Sequence, residues 1–200
     1  MSRMTTAQAL EIIDRHRTDE VVIATMTAGS LWPQYSRSSR DFTHTAPMGS
    51  ASSIGLGVAL GRPDLRVIVL DGDGSLRMNL GVLLTAGQEA PPNLVHVVFE
   101  NGVYNLTGGQ PVPGSDRPNT LVDIARAAGY RNVHVFEDVE SLDLAMNDLL
   151  LAPGPTFVSL RVSPALDIEQ ARAVSRSPAA QAKQSRRGWK NLHTVLNSPT

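Results

Sequence analysis

Asp71-Gly72-Asp73-Gly74-Ser75 is the segment of this 200-residue chain whose residue types and order most directly invite chemistry. Glycines on both sides of Asp73 let the backbone turn tightly and approach a ligand closely. Where a strand gives way to a helix, such a loop offers free backbone N–H groups to an anion. The Asp73 carboxylate is a hard oxygen ligand for a divalent cation such as Mg2+ beside phosphate oxygens. The same residues also fit an Asp-Gly turn with Ser75 as a helix cap. Asn101, 28 residues after Asp73, shifts the balance toward the cation site. It follows the next apolar run, so if the two runs are neighbouring parallel strands, Asp73 and Asn101 share one sheet edge. A carboxylate, an amide oxygen, a backbone carbonyl and diphosphate oxygens form an all-oxygen shell suited to Mg2+. Thr107-Gly108-Gly109-Gln110 then supplies a flexible loop over the site.

Other groups carry weaker signals. His44 stands four residues before Met48 and reads either as a proton donor facing a substrate near neutral pH or as a loop histidine. His96 lies inside an apolar run and reads as a packed residue, while His16, His134 and His193 carry no local signal. Arg37 and Arg40 either receive an anionic substrate or stay solvated. Gln110 reads equally as a substrate contact or a packing residue.

The elements that must position these residues alternate in type. Thr5 or Thr6 caps a first helix reaching about Arg17, with Ala9, Leu10, Ile12 and Ile13 on its apolar side. Val21-Val22-Ile23-Ala24 is a short buried-strand pattern. Residues 27–45 are polar and irregular, and too long for an idle connection, so they read as a functional loop. Residues 49–60, GSASSIGLGVAL, read as a helix of small residues. Its glycines each cost about 1 kcal/mol against alanine, which fits close approach to a sheet or to a ligand. Further strands are expected at 66–70, 94–99, 133–136 and 156–160, and further helices at 76–89, 121–128 and 139–151, with Gly129 as a stop signal. Most of these strands are apolar on both faces. The fold class is therefore α/β, an open, mostly parallel sheet with helices on both faces. In such sheets ligands sit beyond the carboxyl ends of the strands, which selects residues 27–30, 71–75 and 100–110. Residues 1–165 form one domain, and 166–200 form a polar, basic C-terminal segment carrying Arg172, Arg176, Lys183, Arg186, Arg187 and Lys190. That segment reads as a solvated tail, a surface helix or an interaction segment.

Composition excludes several classes. Eighteen Lys and Arg against 19 Asp and Glu leave a net charge of −1, which disfavours an electrostatic hold on nucleic acid. Aromatic residues at 4% argue against a base-stacking platform. With no cysteine, disulfides, thiolate zinc sites and a cysteine nucleophile are excluded within this chain. No apolar run approaches the ~20 residues of a membrane span, and the first residues lack the apolar stretch of a signal peptide. A cytoplasmic location is the expectation.

GDGS, a helix, an apolar strand and then Asn resemble the thiamine-diphosphate motif of decarboxylases and acetolactate synthases. ENGVYNLTGGQPV and APMGSASSIGLGVAL resemble the phosphonopyruvate and sulfopyruvate decarboxylases more closely still. The resemblance covers roughly residues 21–162. It implies thiamine diphosphate and Mg2+ as cofactors, with Asp73, Asn101 and the Val103 carbonyl as metal ligands. It implies that Gly74 and Ser75 hold the diphosphate, that Gly72 and Tyr104 also bind the cofactor, and that Thr27, Gly29 and Ser30 are further phosphate contacts. Met48 matches the apolar wedge that bends the cofactor, and the Ala46 carbonyl matches the acceptor that orients its amino group. Three places depart from the family pattern: Glu100 before the liganding Asn, Pro47 before the wedge, and Asn105-Leu106-Thr107 where phosphonopyruvate-type enzymes have Glu-Ser-Thr. Pro47 removes an N–H and leaves the Ala46 carbonyl available; the third change falls near the substrate pocket. The implied activity is decarboxylation of a small 2-oxo acid. An acetolactate-synthase-type carboligase and a non-catalytic regulatory subunit are the alternatives. The family's activating glutamate belongs to a pyrimidine-binding domain for which residues 1–165 leave no room, so a separate pyrimidine-binding subunit is expected as partner.

Overall fold

The structure, a computed structural model, describes residues 3–44, 48–117, 119–165 and 177–198. The strands are β1 (Val21–Thr25), β2 (Asp41–His44), β3 (Val67–Gly72), β4 (Leu94–Glu100), β5 (Val103–Tyr104), β6 (Gln110–Pro111), β7 (Asn132–Phe136) and β8 (Thr156–Arg161). The helices are α1 (Thr6–His16), α2 (Met26–Leu31), α3 (Ala51–Gly61), α4 (Asp73–Arg77), α5 (Gly81–Glu89), α6 (Thr120–Ala128), α7 (Val139–Leu151) and α8 (Pro178–Asn197).

Six strands form one parallel sheet in the order β2-β1-β3-β4-β8-β7. Val, Ile and Leu fill both faces of β1, β3 and β4, because helices cover both. One face packs Leu10, Ile13, Trp32 and Met146 from α1, the turn after α2, and α7. The other packs Ala51, Leu83, Leu121 and Leu192 from α3, α5, α6 and α8. The chain leaves β1 through α2 on the first face and leaves β3 through α4 and α5 on the second. Between β1 and β3 the strand order reverses direction, and the two departing segments open a crevice at the carboxyl edge.

Three features differ from the sequence expectations. Residues 27–45 are not one loop: they contain α2, a short 3-10 turn at Trp32–Gln34, and the edge strand β2. β2 has a single apolar residue, Phe42, and owes its strand form to pairing with β1, Ile23 facing Phe42. The helix expected over 76–89 is broken into α4 and α5. At the break, the Asn79 amide donates to the Gly49 carbonyl at 2.9 Å and to the Ser53 hydroxyl at 3.0 Å. The sheet therefore has a sixth strand beyond the five expected, and β7 at its edge is only half-buried. The C-terminal segment contains a 20-residue helix, α8, whose Lys183, Arg186, Arg187 and Lys190 are exposed. Arg172 and Arg176 lie outside the described residues. Among the described residues, no helix is long and apolar enough to cross a membrane.

His16 clips α1 to α7. Its ring nitrogens lie 2.8 Å from Asn147 Oδ1 and 2.6 Å from Asp143 Oδ1. The bonds to Asn147 and Asp143 hold its pKa above the ordinary 6.5, and His16 in turn holds Asp143 low. A histidine raised on folding contributes stability fully below its unfolded pKa and loses it as pH rises through the folded value; the Asp143 contribution is lost in acid instead. The melting temperature is therefore expected to fall as pH rises above about 6.5, by ~2–4 °C at this partly exposed pair. His16→Ala should remove that slope, and a melting curve series with the slope intact would refute the clip.

Candidate functional site

The crevice between β1 and β3 is a cleft built from four segments. Thr25, Met26, Thr27 and Ala28 line it from the β1–α2 junction, and the run from Asp71 to Ser75 lines it from the β3–α4 turn. Asn101 and the run from Val103 to Thr107 follow β4, and Met48 closes one wall. The β3–β4 register, Gly72 opposite Phe99, brings the turn after β3 beside the segment after β4. The link is direct: Asp73 Oδ2 accepts the Gly102 N–H at 2.9 Å, and Oδ1 accepts the Gly74 N–H at 2.8 Å. Asn101 Oδ1 accepts the Val103 N–H at 3.0 Å, which curls this segment into a turn facing Asp73. Gly74 has no side chain because the Tyr104 ring lies where a Cβ would stand.

Ser75 does not cap α4. Its hydroxyl accepts the Gly49 N–H at 2.9 Å, while Asn79 holds the Gly49 carbonyl. Gly49 has φ +76°, and a Cβ there would lie 3.1 Å from Asn79 Cβ. The backbone just after Met48 is thus fixed at both its donor and its acceptor. α4 has only five residues, so the anion-binding helix start expected from the sequence is a single turn.

The cleft is electrostatically unfinished. Burial pushes the Asp73 carboxyl up to about 6, with its two N–H donors opposing the rise, Glu100 adding to it and Arg77 opposing it. Burial pushes Asp71 up to about 6 as well, opposed by Ser75 and the Gly72 N–H. Thr25 Oγ1, Asp71 Oδ2 and Asn105 Nδ2 are buried in the protein without a geometrically formed hydrogen bond. Such atoms cost free energy unless something else satisfies them. Thr25, Asp71 and Asn105 all line the cleft, so a polar ligand with donors and acceptors fits it. Among the described residues, no three His, Asp or Glu side chains converge on one metal position. A cation here relies on the mixed shell of Asp73, Asn101 and a backbone carbonyl, as a hard oxygen-liganded ion can.

The residues singled out in the sequence fall as follows. Thr27, Met48, Gly72, Asp73, Gly74, Ser75, Asn101, Val103 and Tyr104 line the cleft. Gly29 and Ser30 are buried in α2 outside its lining, and the Gly29 carbonyl accepts a hydrogen bond from Gln184 of α8. Ala46 and the side chain of His44 lie outside the described residues. Arg37 and Arg40 do not reach the site: they precede β2 and so lie at the amino edge of the parallel sheet, opposite the cleft, where Arg40 pairs with Asp19 at 2.8 Å. Gln110 is exposed and bonds Thr107 at 2.7 and 2.8 Å. His96 is packed in the core, where burial pushes it down to about 3. Asp71 and Asn105 line the cleft within the segments selected from the sequence, 71–75 and 100–110. Sequence reasoning missed Thr25 and Met26, which stand just before the selected residues 27–30 and carry no local signal.

Residues 21–160 match the family model of the thiamine pyrophosphate enzyme C-terminal TPP binding domain. The phosphonopyruvate decarboxylase of Streptomyces viridochromogenes is 41% identical over 165 residues, 82% of this chain and 41% of that one. The sulfopyruvate decarboxylase subunit beta of Methanothermobacter thermautotrophicus is 37% identical over 158 residues, 78% of this chain and 81% of that one. Among solved structures, the thiamine diphosphate-dependent 4-hydroxybenzoylformate decarboxylase of Rhodococcus jostii superposes with a TM-score of 0.63 at 22% identity, over 82% of this chain and 33% of that one. At that identity it is the fold that is shared. The chain spans about two fifths of the Streptomyces viridochromogenes relative and about a third, 32%, of a second phosphonopyruvate decarboxylase, from Streptomyces hygroscopicus.

Proposed function

The chain belongs to the thiamine pyrophosphate enzymes through their C-terminal TPP binding domain, and on that premise we propose that it is the diphosphate-binding subunit of a Mg2+-dependent 2-oxo acid decarboxylase. The observation that carries the reading is the Asp73–Gly102 bond, which joins the two motif segments across one sheet edge in a cleft where Thr25 Oγ1 and Asn105 Nδ2 have no hydrogen-bond partner. Asp73, Asn101 and the Val103 carbonyl would hold Mg2+, and the turn at Gly74 and Ser75 would lie against the diphosphate, with the Gly74 N–H already given to Asp73 Oδ1. Thiamine diphosphate, when bound, supplies the thiazolium carbon that adds to the keto carbon and the ring that takes up the electron pair released with CO2. The protein's own part is binding and orientation. Ser75 and Asn79 fix Gly49 and hence the Met48 wall; Tyr104 covers Gly74; Phe99 and Leu106 give the cleft its apolar lining. Asn105-Leu106-Thr107 line the cleft where the sequence departs from phosphonopyruvate-type enzymes, so Asn105, with its amide unsatisfied, is the residue to distinguish substrates.

The relatives support a two-subunit enzyme. The chain spans 81% and 85% of two proteins named sulfopyruvate decarboxylase subunit beta, against 41% and 32% of two phosphonopyruvate decarboxylases. A pyrimidine-binding subunit is the partner. Leu60 and Leu84 are 47% and 63% exposed on α3 and α5. The groove beside them, lined by Ser53, Gly57, Asn79, Gly81 and Thr85, carries no charged side chain, which suits a subunit interface.

The test is calorimetric binding of thiamine diphosphate with Mg2+, followed by a panel of 2-oxo acids offered to the mixed subunits. Aldehyde and CO2 support the decarboxylase; a 2-hydroxy ketone or 2-hydroxy acid product would move the assignment to a carboligase. Absence of cofactor binding would leave a non-catalytic subunit. Met48→Ala is expected to lower turnover roughly 10- to 100-fold, since small losses of reacting geometry are costly, while cofactor affinity changes far less. Equal losses in both would remove Met48 as a geometric wedge.

A further inference from the structure

α8 lies outside the family-matched residues 21–160 and yet reaches α2, the helix whose first turn lines the cleft. It runs along the outer edge of the sheet against β2, which pairs with β1 alone. Gly188 lies flush on this strand: a Cβ there would stand 3.0 Å from the Thr43 carbonyl oxygen and 3.1 Å from Phe42 Cδ2. Trp189 meets Phe42 edge-to-face at 4.7 Å, and the Asn191 amide donates to the Asp41 carbonyl at 3.0 Å. Leu192 and Val195 enter the core, and Arg62 donates to the Val195 carbonyl and, at 3.0 Å, to Ser198 Oγ. One turn before Gly188, toward the carboxyl edge, Gln184 Nε2 donates to the Gly29 carbonyl at 2.6 Å.

That carbonyl belongs to α2, the segment that needs support. α2 has six residues, too few for a stable helix by itself. Its first residue, Met26, has φ +52°, a left-handed conformation that a non-glycine side chain adopts at a cost of about 1–3 kcal/mol and only when its surroundings enforce it. Thr25 supplies no side-chain cap, and its hydroxyl is buried at the cleft. Met26, Thr27 and Ala28 form the cleft wall opposite Asp73.

We infer that α8 is a clamp that holds α2 and β2 in their binding geometry, with Gln184 as a positioning residue for the β1–α2 wall. The inference rests on the thiamine diphosphate reading of the cleft for its functional consequence. An element beyond the family-matched residues thereby sets cofactor affinity without lining the cleft.

The experiment uses the full chain and three variants: Gln184→Ala, Gln184→Lys, which keeps a donor at similar reach, and Gly188→Leu, which lifts α8 from Thr43. Amide exchange over residues 26–31, melting temperature, and calorimetric affinity for thiamine diphosphate with Mg2+ are measured on each. Gln184→Ala should speed exchange in 26–31 and weaken the cofactor about fivefold, the worth of one hydrogen bond, with the melting temperature nearly unchanged. Gln184→Lys should restore both. Gly188→Leu should weaken binding more, at temperatures well below its own melting point. Wild-type exchange and wild-type affinity in Gln184→Ala would overturn the clamp, as would a lowered melting temperature with affinity intact. If the unaltered chain fails to bind thiamine diphosphate, the cofactor reading falls, and the exchange of 26–31 still decides whether α8 restrains α2.

Discussion

Asp73→Asn is expected to weaken Mg2+-dependent thiamine diphosphate binding by roughly 100-fold or more, the scale of losing one partner of a buried charge interaction. Two effects combine. The variant loses the anionic oxygen that faces the cation, and its single amide oxygen cannot serve both N–H donors that Asp73 now satisfies, Gly74 and Gly102. The second loss loosens the tie between the turn after β3 and the segment carrying Asn101. The fold should survive, because burial already makes an ionised Asp73 costly, pushing its carboxyl up to about 6. An amide of the same shape asks less of the core. Calorimetry with Mg2+ reads the binding, and circular dichroism with thermal melting reads the fold. An affinity within a few-fold of the wild type would remove Asp73 from the metal site. Asp73→Ala should bind no better, as it leaves both N–H groups without an acceptor.

The second large effect concerns catalysis by the chain on its own. With Mg2+ and thiamine diphosphate supplied, the isolated chain should show below about 1% of the activity of the mixture with a pyrimidine-binding subunit, since a positioned acid–base group contributes typically 10²–10⁴-fold. Asp71, Asp73 and Glu100 lie at or beside the β3–β4 edge of the cleft. Each already has a structural bond: Asp73 accepts two backbone N–H groups, Glu100 accepts the Ser159 hydroxyl at 2.5 Å, and Asp71 Oδ1 accepts the Gly72 N–H at 2.8 Å. On the proposed two-subunit reading, an activating glutamate comes from the pyrimidine-binding partner. Adding the Asp73→Asn chain to the partner should leave the mixture inactive, which shows that the diphosphate site must come from this chain. Full activity without a partner would overturn the two-subunit reading.

Much of the framework was legible in the residues. β1 and β3 open on unbroken apolar runs rich in β-branched residues, and β4 and β8 are mostly apolar, each with one polar residue inside, His96 and Ser159; such runs specify strands buried on both faces. GDGS and Asn101 announce the site because turn geometry and oxygen ligation are properties of a few consecutive residues. Their convergence followed once the two intervening runs were taken as neighbouring parallel strands, as β3 and β4 are.

What the residues could not disclose depends on neighbours distant in the chain. β2 carries one apolar side chain and becomes a strand because β1 offers it hydrogen-bonding partners and α8, some 140 residues later, covers its other edge. Arg37 and Arg40 looked available to an anionic substrate, but strand direction places them at the amino edge, and no local pattern encodes that direction. Thr25 and Met26 became cleft residues only through the reversal of strand order between β1 and β3, which sends α2 and α4 to opposite faces and opens the crevice between them. Ser75 reads as a cap in its own segment and instead holds Gly49, 26 residues away, behind the Met48 wall. The sequence by itself determined which segments are strands buried on both faces and which short loop holds oxygen ligands, since both follow from side-chain pattern and local backbone freedom. The tertiary structure alone decided which edge faces the ligand, what covers β2 and what fixes Met48, since each is a pairing between segments whose local patterns are silent about one another.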